Sequence, residues 1–241
     1  SVAEDFALFA LGYKLSTAVF LASSAISMTI VPIIFKNLSY ENSLSEGTSS
    51  IIKAANFLIV ITGITLIIFG KDLFIPFFDE AYQGAFDIIS LLIVAHYISG
   101  FMGLTSNNFL SFYKKTTIQM ICFVISAGVY LSAALILTPF LQIYGVVLSS
   151  IISMSVLIIL HSIVIKKFNL PCCNYKDFFY GLIIIMVAGA GSYLLPGSIW
   201  HGKLDDFIMK VILIIILGIC SYSFLRVGDS IKKIKLANEI N

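Results

Sequence analysis

Charge is what this sequence has least of. Only 12% of its residues are Asp, Glu, Lys or Arg, against about 25% in a soluble globular domain. Hydrophobic residues make up 59% of the chain and its mean hydropathy is +1.01. A water-facing domain of 241 residues has no single core large enough to hide that much apolar surface. The composition therefore excludes an ordinary soluble domain and makes the bilayer the expected solvent. Acid is scarcest where it would matter most: inside the long apolar runs the sole carboxylate is Asp87, near the start of one of them. The four cysteines, Cys122, Cys172, Cys173 and Cys220, follow no zinc or redox spacing. Phosphate-binding loops, metal-ligand clusters and nucleophile–base pairs are missing, so neither an enzyme nor a cofactor or metal is expected. No basic stretch carries interleaved aromatics, so no nucleic-acid partner is expected. A charged leader followed by a short apolar stretch and a cleavage site is also absent, which leaves no signal peptide to read.

What the sequence does have is long apolar runs. A spanning helix needs about 20 mostly apolar residues. Seven runs qualify: about 6–35, 54–70, 84–105, 116–137, 140–165, 178–195 and 207–225. Within them the apolar residues are nearly continuous, which excludes a surface-lying amphipathic helix and the alternation of an outer-membrane barrel. Polar segments separate the runs, as at Asn37 to Ser50, Lys71–Asp72 with Asp79–Glu80, and Lys166–Lys167 to Lys176. Thr138–Pro139 is read as a further break, because proline disfavours helix at the residue before it. The expected fold is an all-α, polytopic transmembrane bundle of seven spans, read as one bundle over 1–241. Gly100, Gly103 and the stretch Ala188–Gly189–Ala190–Gly191–Ser192 are expected to bring helices close together.

The lysines and arginines orient these spans. With alternate loops assigned to one side, Lys36, Lys53, Lys114, Lys115, Lys166, Lys167, Lys176, Arg226, Lys232, Lys233 and Lys235 share a face. Lys71, Lys203 and Lys210 fall on the other, and Lys14 lies inside the first run. The positive-inside rule makes the crowded face cytoplasmic, with the N-terminus outside and the C-terminus inside.

Lys14 is the cation the loops do not explain. It lies roughly 12 Å along its helix from the start of the run, at about 1.5 Å per residue. A lysine near the bilayer centre costs about 2.5–3.5 kcal/mol on insertion scales. It fits a cavity cation that meets an anionic substrate, and it equally fits a side chain snorkelling to the interface. His96 lies mid-way along the third run, suited to relaying a proton, to bonding a sugar or phosphate, or to tying two helices together. Asn56, Asn107, Asn108 and Gln119 fit either the lining of a polar cavity or interhelical hydrogen bonds. Asp87 suits the helix dipole at the start of its run, and Tyr82, Tyr97 and Trp200 suit interfacial or packing roles.

Three stretches, in order, carry a family resemblance. Phe9–Ala10–Leu11–Gly12–Tyr13–Lys14–Leu15–Ser16 leads into a run that ends at Val31–Pro32. Tyr82–Gln83–Gly84–Ala85 enters the run leading to Asn108–Phe109–Leu110 and Lys114–Lys115. Pro139–Phe140–Leu141–Gln142–Ile143–Tyr144–Gly145 separates two later runs. Over residues 5–167 the sequence resembles the C-terminal part of a Wzx-type O-antigen or polysaccharide flippase of the MOP superfamily. Phe9 stands where that family usually has Tyr, Gly12 where it has Ala, and Gln142 where it has the first glycine of its Pro-x-x-Gly-x-x-Gly break. The resemblance implies a fragment of a transporter with twelve or fourteen spans. It implies a substrate, an undecaprenyl-diphosphate-linked oligosaccharide, moved across the bacterial inner membrane for O-antigen or capsule synthesis. It also implies a role for Lys14, which would meet the diphosphate or acidic sugars, and a partner, a glycan polymerase complex. On this reading His96, Asn56, Gln119 and Asn107 would line the substrate cavity.

Three rivals remain at this level. A drug/cation antiporter of the same superfamily would want an intramembrane carboxylate, and the runs offer only Asp87. A seven-helix receptor shares the topology, but Ser106–Asn107–Asn108 stands where Asp-Arg-Tyr would be. A structural membrane subunit is the third.

Overall fold

A computed structural model of the chain describes residues 2–41, 46–74, 77, 84–170, 175–194 and 204–224. Tyr82 and Trp200, and the cysteines 172 and 173, lie outside the described residues, as does the side chain of Asp87. Every named element is a helix: α1 Val2–Glu41, α2 Glu46–Phe74, α3 Ala85–Leu104, α4 Ser106–Phe112, α5 Thr116–Leu141, α6 Ile143–Lys167, α7 Tyr175–Leu194 and α8 Leu204–Phe224. Lipid offers no hydrogen bonds to a backbone, so a run of Ile, Leu, Val and Phe in it must satisfy its own amides as helix. Hydroxyls in these helices turn back onto their own carbonyls, as when Thr17 Oγ1 donates to Tyr13 O (2.7 Å) and Ser149 Oγ to Gly145 O (2.7 Å).

Five stretches are long and apolar enough to cross a membrane: Phe6–Ser39, Glu46–Gly70, Ile88–Phe112, Thr116–Leu141 and Ile143–Lys167. They are compatible with a multi-pass membrane protein. The sixth and seventh runs are also helices, α7 and α8, and the apolar stretch of α8, Ile208–Ser223, is shorter than the five.

The centre of the bundle is α3. It packs on α1, α2, α6 and α7, while α5 lies against α6, and α8 against α2 and α7. Ile59, Ile64, Ile93, Tyr97, Phe101 and Ile185 form the middle of the core, all but sealed from the surroundings. Two of the expected close approaches are seen differently here. A Cβ at Gly100 would stand 2.7 Å from Ser23 Oγ, so α1 and α3 meet there as expected. Among the described residues nothing lies within 4 Å of a Cβ at Gly103, so no close approach there depends on glycine; its carbonyl accepts a hydrogen bond from the Asn108 side chain.

The expected break at Pro139 is displaced. Helix α5 runs through Pro139 to Leu141 and stops at Gln142, whose φ of 50° is left-handed. Pro139 has no N–H to give the carbonyl four residues back, so the helix forfeits that bond and ends within the same turn. The chain then folds back so tightly that a Cβ at residue 145 would sit 2.7 Å from the Leu137 carbonyl, which requires Gly145.

Lys210, near the start of the seventh run, is not a loop residue. It lies inside α8, buried, with Nζ 2.7 Å from Asp72 Oδ2 near the end of α2. A lysine so placed needs a counter-charge, because an unpaired ion in low dielectric is strongly disfavoured.

Candidate functional site

The face that α1 leaves open follows from where its glycine lies. A Cβ at Gly12 would approach Ala85 O to 3.1 Å and Ile88 Cδ1 to 3.0 Å, so this side of α1 is pressed onto α3. Two residues further is roughly 200° around a helix of 3.6 residues per turn. Lys14 therefore points away from α3, and it is exposed, with no described residue pairing with it.

Between these two faces runs an aromatic row, Phe6, Phe9 and Tyr13. It forms one wall of a groove against α5 and α6. Two adjoining cavities, of about 530 and 490 Å³, share Phe9 and Tyr130. Thr138 and Gln142 line the first cavity, and Ser126, Ser150 and Ser153 the second. The hydroxyls of Ser126 and Ser153 are 2.8 Å apart and each donates to the other residue's carbonyl (2.8 and 2.9 Å). They staple α5 to α6 and hold that wall of the groove.

His96 is brought to the same place. Its ring packs against Tyr13 (5.4 Å between centroids) and Phe20 (6.2 Å), and its Nε2 is buried with no hydrogen-bond partner among the described residues. The structure thus gathers Lys14 and His96 around Tyr13, on either side of the aromatic row.

The other expected site residues lie elsewhere. Asn56 is fully buried between α2, α3 and α7: its Nδ2 donates to Asp177 O (3.1 Å) and its Oδ1 accepts from the Tyr97 hydroxyl (3.1 Å). The same hydroxyl is 3.1 Å from Phe178 O, and the Tyr97 and Phe178 rings stack at 5.7 Å. Asn56 is interhelical glue, outside the groove. Gln119 accepts a 3.2 Å bond from Ser111 beside the α4–α5 turn. Asn107 is in α4, its Oδ1 buried without a partner among the described residues. Asp177 opens α7, ahead of the apolar run. Burial pushes its carboxyl up from the ordinary value, and Lys53, 3.9 Å away, pulls it partly back.

Sequence reading passed over His161, which is fully buried in α6. Its Nδ1 is 3.4 Å from Ser106 Oγ, Phe123 meets its ring edge-on at 5.7 Å, and its Nε2 has no partner among the described residues. Phe123 also lines the groove, so His161 stands behind that wall. Its signal was the one used for His96, an imidazole within an apolar run. Among the described residues no group of three or more His, Cys, Asp or Glu is placed to hold a metal.

No family model, curated protein or solved structure matches the chain.

Proposed function

We propose that this chain belongs to a multi-pass transporter of the bacterial inner membrane that flips an undecaprenyl-diphosphate-linked oligosaccharide for O-antigen or capsule synthesis. The observation that carries the reading is Lys14: an exposed cation with no partner among the described residues, within a membrane-length apolar helix and next to an aromatic and hydroxyl-lined groove. A glycan headgroup is too polar to cross lipid without shielding. An amphipathic anion asks for this combination, a cation for its phosphates and aromatic and hydroxyl groups for its sugars. The stretch around Lys14 is also the first to resemble the flippase family. In this reading Lys14 meets the diphosphate, His96 donates to or accepts from the headgroup at its unsatisfied Nε2, and Tyr13 and Tyr130 stack on sugar rings. The spans contributed by α7 and α8, the outside N-terminus and the link to a glycan polymerase complex belong to the same proposal.

The test uses the full-length protein in a strain lacking its own copy. Lys14→Ala should abolish surface glycan display at an unchanged level of membrane-inserted protein, and Lys14→Arg should retain much of it. Normal display by the Ala variant contradicts the proposal.

A further inference from the structure

From Ile88 to Lys176 the sequence holds no carboxylate, yet it holds five lysines. Four of them are brought to one end of the bundle. Lys115 Nζ stands 4.3 Å from the centre of the Phe168 ring, which ties the α4–α5 turn to the end of α6. Lys114–Lys115 and Lys166–Lys167 thereby face the surroundings together. The backbone under both pairs is fixed by the same device. Lys114 and Asn169 are left-handed, with φ of 55° and 50°. Lys115 N bonds Leu110 O (2.8 Å) and Lys114 N bonds Ser111 O (3.1 Å); Leu170 N bonds Ile165 O (3.0 Å) and Asn169 N bonds Lys166 O (3.2 Å). This paired pattern is the Schellman cap, which holds the chain where a helix ends. Lys114, Lys166 and Lys167 are exposed, Lys115 is half-buried, and no described carboxylate pairs with any of the four. Three membrane-length stretches end or begin here. Within the next turns α5 exposes Met120 and Ile121, and α6 exposes Ile159 and Ile163.

We propose that this end of α4, α5 and α6 is a binding surface for anionic phospholipids, with the four lysines on the headgroup phosphates and the exposed apolar residues against the acyl chains. Clustered lysines beside a membrane span attract anionic lipid within a Debye length. Orienting the chain requires only lysines somewhere in the loops; it does not require two lysine pairs distant in sequence to converge on one capped surface. The proposal rests on the chain being membrane-embedded and is independent of what it transports.

The experiment is thermal unfolding of the full chain in a neutral detergent with added phosphatidylglycerol, phosphatidylcholine or inorganic diphosphate. Phosphatidylglycerol should raise the unfolding midpoint above that in phosphatidylcholine, and high salt should remove the difference. The double variant Lys115→Gln, Lys167→Gln should lose at least half of that shift, while Lys36→Gln, an exposed lysine of α1, keeps it. Equal shifts with the two lipids, or an undiminished shift in the double variant, overturn the proposal. So does an equal shift with inorganic diphosphate, which would make this a soluble-phosphate site. If the double variant fails to fold, the comparison of the three additives on the unaltered chain decides.

Discussion

The stretch Ile88–Phe112 and the helix α5 are built from the same apolar alphabet and end up in opposite surroundings. Of the most apolar part of the first, 78% is buried inside the bundle; of α5, 11% is. The more buried of the two is the less apolar. In water that order would be perverse. In lipid it is expected, because the tails are as apolar as leucine and give helices no hydrophobic reason to associate. Close packing and hydrogen bonds decide instead. The stretch around α3 has both: Tyr97 reaches two helices at once, Gly100 lets α1 approach at Ser23, and Gly181 of α7 makes room for the Tyr97 ring. Helix α5 has the Ser126–Ser153 staple on one side and an open face on the other. The molecule thus has a closely packed half, α3 with the faces of α2 and α7 against it, that holds shape, and an open half along the outward faces of α1, α5 and α6 that offers a groove.

Substitutions should separate the halves by what they damage. The largest effect is expected from Asp72→Asn, which removes the buried carboxylate charge that Lys210 Nζ meets at 2.7 Å; breaking a buried ion pair costs about 3–5 kcal/mol. Thermal unfolding in detergent should show it, and replacing both partners by Leu should restore most of the loss. Next is Gly181→Ala, whose added Cβ would fall 2.1 Å from the Tyr97 hydroxyl. Overpacking of this kind costs about 1–3 kcal/mol. If Gly181→Ala unfolds at the temperature of the unaltered chain, the core between α3 and α7 is looser than described. In the open half, Ala127→Trp should fill the groove between Phe123 and Tyr130. Its unfolding should shift by no more than about 0.5 kcal/mol, while, on the proposed transport function, glycan display falls sharply. A large stability loss there would erase the distinction between the halves.

The smallest effect is expected at Asp177→Asn, because an ion pair as long as that with Lys53 contributes about 0–1 kcal/mol. Its pH dependence is the sharper readout. Burial raises the Asp177 carboxyl in the fold, so the folded state keeps this proton longer than the unfolded chain does. The group's stabilising contribution is present below the ordinary carboxylate range and is lost as pH rises through the folded value. Asp177→Asn should flatten that part of the stability profile.

Much of the fold was legible because helix in lipid follows from apolar length alone. All seven runs fall on helices, and five of them on stretches long enough to span. The boundaries were less legible, since a proline says only where helix is disfavoured: Pro139 is absorbed, and the stop three residues later depends on a left-handed Gln142. Contacts between runs were least legible. Nothing in the sequence pairs Asp72 with Lys210, or sends Asn56 to the Asp177 carbonyl, because each depends on which helices become neighbours. Lys14 and His96 could be singled out as intramembrane ionisable groups; that they flank one aromatic row is known only from the packing of α1 on α3.

Whether Lys14 faces a water-filled path or lipid is what the account turns on, and labelling decides it. With the four native cysteines replaced, Lys14→Cys and Ser16→Cys are exposed in membranes to a charged, water-soluble thiol reagent and to a lipid-soluble maleimide. The charged reagent is expected to modify position 14 and to leave the fully buried position 16 untouched. A position 14 that reacts with the lipid-soluble reagent alone would place Lys14 against lipid and contradict the substrate path.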